Sequence, residues 1–351
     1  MLLDSFGLRP SIADAFGVLR GEGLVLGRVV RVERGFAAVQ TEDGELTVHV
    51  PKSMLRPKGD GPPSSADRRS GPRSTPPSAS LTSTPVTGDW VAVDARRGAI
   101  AEVLPRGACF VRRAAGKRGE PQIVAANVDR VFVLMGLDGD FNLRRLERYL
   151  ALTKDAGADA VILLTKAGLS SDFEAGLATV RELAAGAPVE AIDVVSGINS
   201  DAPLRYLGPG VTAALIGSSG VGKSTLANYL LGADALKTAA VREHDDRGKH
   251  TTTRRELFAR PWGVIIDTPG MRELSLHAEP ESVEAAFPDI AELGASCRFS
   301  DCAHEREPDC AVRKAVEDGT LAPSRLASFK VLRAEVEERD KAPRSSRRRG
   351  R

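Results

Sequence analysis

Between residues 24 and 50, apolar and polar side chains alternate in short runs, LVLGRVVRVE, GFAAVQ and ELTVHV, the period of strands with one buried face. Asp43-Gly44 between the last two reads as a tight hairpin turn. The alternation resumes in DWVAVDA and AIAEVLP. About five strands over residues 24–110 predict a small β-barrel, with the OB fold as the leading candidate. Residues 57–85 break the pattern: 20 of 29 are Pro, Gly, Ser or Thr, and Leu81 is the only large aliphatic. Such a segment buries too little to order itself and reads as a disordered insert in the barrel.

From about residue 120 the texture changes. VFVLMGL (131–137) and AVILLT (160–165) are apolar almost throughout, as in parallel strands covered on both faces. Leu143, Leu146 and Leu150 share one face of a helix that ends near Gly157. A second helix is expected from Phe173 to Ala185, with Asp172 as its cap and Gly186 as its stop. PVEAIDVVS, VTAALIG and GVIIDTPG supply further strands. Strands separated by helices predict an α/β doubly wound sheet. Beyond Leu276 the chain turns helical and polar, with a closing helix near 324–339.

The 351 residues allow about two or three domains, and 42% hydrophobic residues exclude a wholly disordered chain. No apolar run approaches the ~20 residues of a membrane-spanning helix. The start, MLLDSFGLRP, has neither a basic opening nor an apolar core of signal length, so the expectation is a cytoplasmic protein without membrane partners. Net charge is +2, but the last eleven residues carry six basic groups and no acid, leaving −4 for the rest. Arg96 to Arg118 holds seven more basic residues against one acid. Such arms fit a polyanion; for the tail, a solvated end that aids solubility is the other reading.

The chemistry is concentrated in a few short motifs. Gly217, Ser218, Ser219, Gly220, Val221, Gly222, Lys223, Ser224 and Thr225 spell GSSGVGKST between an apolar strand and a helix-like LANYLL. This is the phosphate-binding loop, whose glycines let backbone N–H groups approach phosphates. Lys223 should reach the β and γ phosphates, and Ser224 should ligate Mg²⁺. Fifty residues after Gly217, Asp267-Thr-Pro-Gly270 closes the strand GVIID. There Asp267 can hold the Mg²⁺ shell and the Gly270 N–H can sense a γ-phosphate. Between the two lies GKHTTTR (248–254), where a threonine, Thr253 as the candidate, could cap Mg²⁺. Upstream, Thr165-Lys166-Ala167-Gly168 resembles the base-reading N/T-K-x-D motif of GTPases, with Gly168 where an Asp is expected. Asp172, four residues on, is a candidate replacement, and Ser196-Gly197 sits where the last base-contacting loop should be. The base-reading loops precede the phosphate loop, the reverse of the usual order, so the domain is a circularly permuted one.

Cys297-x4-Cys302-x-His304-x5-Cys310 supplies three thiolates and an imidazole, the donor set of a closed, structural zinc site. The segment reads as too short and polar to fold by burial, so metal would supply its stability. Cys109 stands apart and reads as a buried thiol.

This ordered set, together with TGDWVAVD, QIVAANVDRVFV and GKHTTTRRELF, resembles the ribosome small-subunit-dependent GTPase A family (RsgA) over roughly residues 24–340. The resemblance implies a multidomain protein: an OB-type β-barrel (23–113), a central α/β circularly permuted P-loop GTPase domain (114–278) and a helical zinc-binding domain (279–340); it leaves out an N-terminal extension (1–22), the 57–85 insert and a basic disordered tail (341–351). It implies a GTPase that binds GTP and GDP with Mg²⁺, carries one structural zinc ion, and grips the small ribosomal subunit and its rRNA late in assembly; nothing in the sequence demands more than a monomer. The subunit would stimulate hydrolysis, and hydrolysis would time release. Met271 stands where many GTPases place a water-orienting Gln, and a thioether cannot orient water. His250 or an element of the ribosome is then the candidate to assist. Gly168 and Met271 leave two other readings open: an RNA-binding assembly factor that barely turns over nucleotide, and a P-loop ATPase or kinase.

Overall fold

Eleven strands join one continuous sheet in the computed structural model, which describes residues 1–19, 23–55, 84–113, 121–170, 173–184, 186–232, 255–267 and 280–341. Two short helices that the sequence pattern did not announce, α1 (Leu2–Ser5) and α2 (Pro10–Val18), open the chain. Their Leu3 and Ile12 pack on Trp90 and Leu104 of the barrel wall.

The barrel comprises β1 (Leu24–Glu33), β2 (Phe36–Thr41), β3 (Gly44–His49), β4 (Trp90–Asp94) and β5 (Ala99–Val103). Their order is β1-β2-β3-β5-β4, closed by β1 against β4, with β3 and β5 parallel. Val29, Val39, Val48, Val91, Val93 and Ile100 fill it. These are the five strands read from the alternation. The hairpin differs by one residue: Thr41 pairs with Gly44, so Glu42 and Asp43 form its two-residue loop. Residues 57–83 of the insert lie outside the described residues, as does the tail beyond 341.

A separate antiparallel pair, β6 (Cys109–Arg113) and β7 (Pro121–Ala126), spans the expected 113/114 boundary, so barrel and α/β region meet through a hydrogen-bonded hairpin. The α/β sheet follows with β8 (Arg130–Gly136), α3 (Leu143–Asp155), β9 (Asp159–Thr165), α4 (Phe173–Leu183), β10 (Val189–Ala191), β11 (Thr212–Gly217), α5 (Lys223–Leu231), β12 (Glu256–Arg260) and β13 (Gly263–Asp267). Strand order is β10-β9-β8-β11-β13-β12, parallel except for β12. Of PVEAIDVVS only three residues form a strand, because the Asp193–Ile198 bridge folds the chain back at once. Strand β12 was not read from the sequence; its polar ends mask the pattern. It pairs antiparallel with β13 on one side and meets β1 on the other, Arg31 opposite Glu256, which splices the barrel onto the α/β sheet. The Arg31 guanidinium and Glu256 carboxylate lie 2.8 Å apart across that seam.

The last segment holds α6 (Pro280–Ala286), α7 (Pro288–Gly294), α8 (Ala311–Glu317) and α9 (Pro323–Lys341). The expectation that it could not fold by burial is corrected. Phe287, Cys302, Cys310, Phe329, Leu332 and Val336 belong to the same buried cluster as Leu146 and Leu150 of α3. Arg325 of α9 pairs with the buried Glu147 of α3 at 2.8 Å and grips Asp289 of α7 with two bonds, its guanidinium 4.4 Å from the Phe287 ring centroid. The helices therefore share the α/β core. Among the described residues no helix is long and apolar enough to cross a membrane.

Candidate functional site

Strand β11 ends at Gly217 and α5 starts at Lys223, so the loop between them must turn within five residues. Gly217, Gly220 and Gly222 supply that turn with φ of +150°, +73° and +103°, conformations that side chains resist. At Gly217 a Cβ would stand 2.6 Å from the Leu134 carbonyl oxygen, so no larger residue fits. Val221 is fully buried and anchors the loop. Lys223 Nζ donates to the carbonyls of Gly217, at 2.9 Å, and Ser218, which sets its ammonium in the mouth of the loop. Ser218 Oγ donates to Asp140 Oδ2 at 2.5 Å. Ser219 and Gly220 are exposed at the tip, and Ser224 and Thr225 lie on the first turn of α5.

The base-reading loop comes from the neighbouring strands. Thr165 ends β9, and its hydroxyl donates to the Val221 carbonyl at 2.7 Å. It thereby braces the phosphate loop. Lys166 adopts a left-handed backbone, φ +61°, the kind of strained position that clusters at functional sites. Its Nζ lies 2.6 Å from Asp138 Oδ2, and this bond holds the Asp138 carboxyl below the usual carboxylate range. Gly168 donates its N–H to Asp193 Oδ2 at 3.1 Å. The other oxygen of Asp193 accepts from the N–H groups of Val195 and Ser196, at 2.9 and 3.2 Å. Burial pushes the Asp193 carboxyl up, but the N–H groups of Ser196 and Val195, the Ser196 hydroxyl and the Gly168 N–H outweigh it and hold the group below the usual carboxylate range.

The structure thus brings Thr165, Lys166, Gly168, Ser196 and the 217–225 loop together at the carboxyl ends of β9, β10 and β11. That is where ligands enter open α/β sheets. His250, Thr253, Gly270, Met271 and Asp172 lie outside the described residues, and Asp267 is placed only as the last residue of β13. Sequence reading missed Asp138, Asp140 and Asp193. Each directly follows the end of a parallel strand or its first turn, and that position was the available signal.

The second cluster is compact. The ligand atoms of Cys297, Cys302, His304 and Cys310 all lie within 4.8 Å of one another. Cys297 Sγ is 3.8 Å from Cys310 Sγ and 3.7 Å from His304 Nδ1, which is 3.4 Å from Cys310 Sγ. Tetrahedral bonds of about 2.3 Å separate two sulfur ligands by roughly 3.8 Å, so the donor set has the size of a four-coordinate metal cage. Burial, with the Cys310 and Cys297 thiols alongside, pushes Cys302 up to about 11. A metal ion bound here would have to offset that cost, because the ligand is the thiolate. The cluster can hold a metal ion.

A phosphate loop leaving the central strand of a parallel sheet, with its base-side loops earlier in the chain, defines a circularly permuted P-loop GTPase fold. A profile described as RsgA GTPase matches residues 103–277. A protein named Small ribosomal subunit biogenesis GTPase RsgA from Opitutus terrae is 40% identical over 349 residues, covering 95% of this chain and 90% of that one. Its namesake from Xanthomonas euvesicatoria pv. vesicatoria is 49% identical over 251 residues, 71% of this chain and 69% of that one. The chain belongs to the RsgA GTPase family, a family of GTP hydrolases. Two solved structures share the fold at 23% identity and TM-scores of 0.61: YjeQ from Thermotoga maritima, covering 90% of this chain and 99% of that one, and YloQ, described as a circularly permuted GTPase, covering 93% and 100%.

Proposed function

We propose that this chain binds the small ribosomal subunit through rRNA and hydrolyses GTP there during late subunit assembly, acting as a monomer. The names of its relatives support the subunit as partner, and the observation that carries the chemistry is the Lys223 ammonium held in the mouth of the glycine loop. In this reading Gly217 to Thr225 surround the phosphates, while Thr165, Lys166, Gly168 and Ser196 flank the base. Ser224, Thr253 and Asp267 are the residues that would hold Mg²⁺, which when bound offsets the charge gathering on the phosphates. The exposed Ser224, one residue past Lys223, fits that duty. Gly270 N–H senses the γ-phosphate, and His250 is the candidate to orient the attacking water. Cys297, Cys302, His304 and Cys310 hold zinc as a structural ion, since four protein donors leave no open position. The barrel, of OB type, and the metal-bearing helical region are the RNA-facing parts, supported by the basic stretch from Arg96 to Arg118.

The test is nucleotide turnover by the purified protein, GTP against ATP, with and without small ribosomal subunits. GTP turnover that rises strongly only with subunits is the expected result. Absence of stimulation under every condition overturns the proposal in favour of a binding factor, a reading that Gly168 favours by removing the usual base-reading carboxylate.

A further inference from the structure

We propose that Asp193 supplies the carboxylate that reads the guanine edge, in place of the side chain that residue 168 lacks. The inference rests on the nucleotide reading above and deepens it. A Cβ built on Gly168 would lie 2.8 Å from Asp193 Oδ2 and 2.9 Å from Ser196 Oγ. The direction in which an aspartate at 168 would extend is therefore already taken by another carboxylate. Glycine at 168 and the acid at 193 are two halves of one arrangement: the first makes room, the second fills it.

The Asp193 carboxylate is also fixed. Gly168 N–H holds one oxygen, Val195 and Ser196 N–H hold the other, and the residue is only 7% exposed. A carboxylate offers about four acceptor sites, so three backbone donors leave one. The Ser196 hydroxyl also reaches it, and this donor can rotate away. Guanine presents N1–H and the 2-amino group on the edge that would face this oxygen, and the one remaining acceptor site takes the 2-amino donor; adenine presents no amino group there, and xanthine has in its place a C2 carbonyl that a carboxylate repels. A charge-assisted bond from a poorly solvated carboxylate is worth about tenfold or more in affinity.

The experiment measures binding of the diphosphates of guanosine, xanthosine and adenosine to the full chain and to Asp193→Asn and Gly168→Ala. The unsubstituted protein should prefer the guanosine form over both others by about tenfold or more. The amide introduced by Asp193→Asn can donate to the xanthine carbonyl, so the xanthosine-to-guanosine affinity ratio should rise at least about tenfold. A purely structural loop cap would weaken all three nucleotides together and leave that ratio alone. In Gly168→Ala the new Cβ displaces the carboxylate, so the guanosine-to-adenosine ratio should fall towards one. Guanine preference in the unsubstituted protein with both ratios unmoved overturns the role of Asp193 while leaving the GTPase reading intact. No base preference in the unsubstituted protein overturns both. Should Asp193→Asn fail to fold, the ratio in Gly168→Ala decides alone, and retained guanine preference there refutes the proposal.

Discussion

Arg28 Nη1 donates to Thr212 Oγ1 at 2.9 Å, so the first strand of the barrel is pinned to the strand that leads into the phosphate loop. The same buried guanidinium also reaches the carbonyls of Phe6, Gly88 and Asn127 and lies 5.4 Å from the Trp90 ring centroid. One side chain thereby joins the N-terminal helices, the barrel and the α/β sheet.

Replacing it should be costly. Arg28→Met leaves several acceptors without a donor, and unpaired buried polar groups cost about 1–3 kcal/mol each. The expected loss is about 3 kcal/mol, read from the denaturant midpoint. Arg28→Lys should not restore it, because one ammonium cannot reach partners spread around a planar fork. A loss below about 1 kcal/mol would show that the pin is redundant.

Thr165→Val removes the bond to the Val221 carbonyl while keeping the shape. Nucleotide affinity should fall about threefold to tenfold, equally for guanine and adenine nucleotides, since the hydroxyl acts on the phosphate loop. Titration with fluorescent diphosphates checks this, and a change confined to one base would contradict it.

Cys302→Ser should abolish the stoichiometric zinc proposed for the four-donor cluster, because a closed tetrahedral site needs all four ligands. The helices around it should nevertheless stay folded, since Phe287, Phe329 and Leu332 are buried in the same core as α3 and do not rely on the ligand side chains alone. Metal analysis with circular dichroism reads both outcomes. Full zinc retention would falsify the ligand set, and loss of the helices would give the metal the larger share of stability.

Glu307 accepts N–H bonds from Ala303, Glu305 and Arg306 and so organises the turn between His304 and Cys310. Those backbone donors, with its own N–H first among them, draw its carboxyl down to about 2. A depressed folded value means the contribution is present above the unfolded value of about 4.5 and is lost as pH falls towards 2. Amide exchange at Ala303 and Glu305 should be faster in Glu307→Gln than in the unsubstituted chain at neutral pH. The gap should narrow as pH drops below about 4.5, and a gap that stays constant would rule the carboxylate out as its source.

What the sequence disclosed was local chemistry. GSSGVGKST and the Cys/His set are contiguous, so type and spacing alone carried them, and the barrel's alternation survives because each strand has one buried face. Arg28 and Asp193 stayed hidden because their partners are distant: Thr212 is 184 residues from Arg28, and Gly168 is 25 from Asp193. The helical segment looked polar for a related reason. Its apolar residues are few and scattered, and they become a core only against α3, whose Glu147 is buried by an arginine 178 residues away.

The seam at Arg31 and Glu256 has a mechanical meaning. Strand β12 begins three residues after Thr253, and the sheet runs unbroken from β11 through β13 and β12 into β1. The barrel is therefore tied by backbone strand pairing, through β12 and β13, to the strand that leads into the phosphate loop. Continuous strand pairing stands there in place of a linker, so the two regions share one sheet.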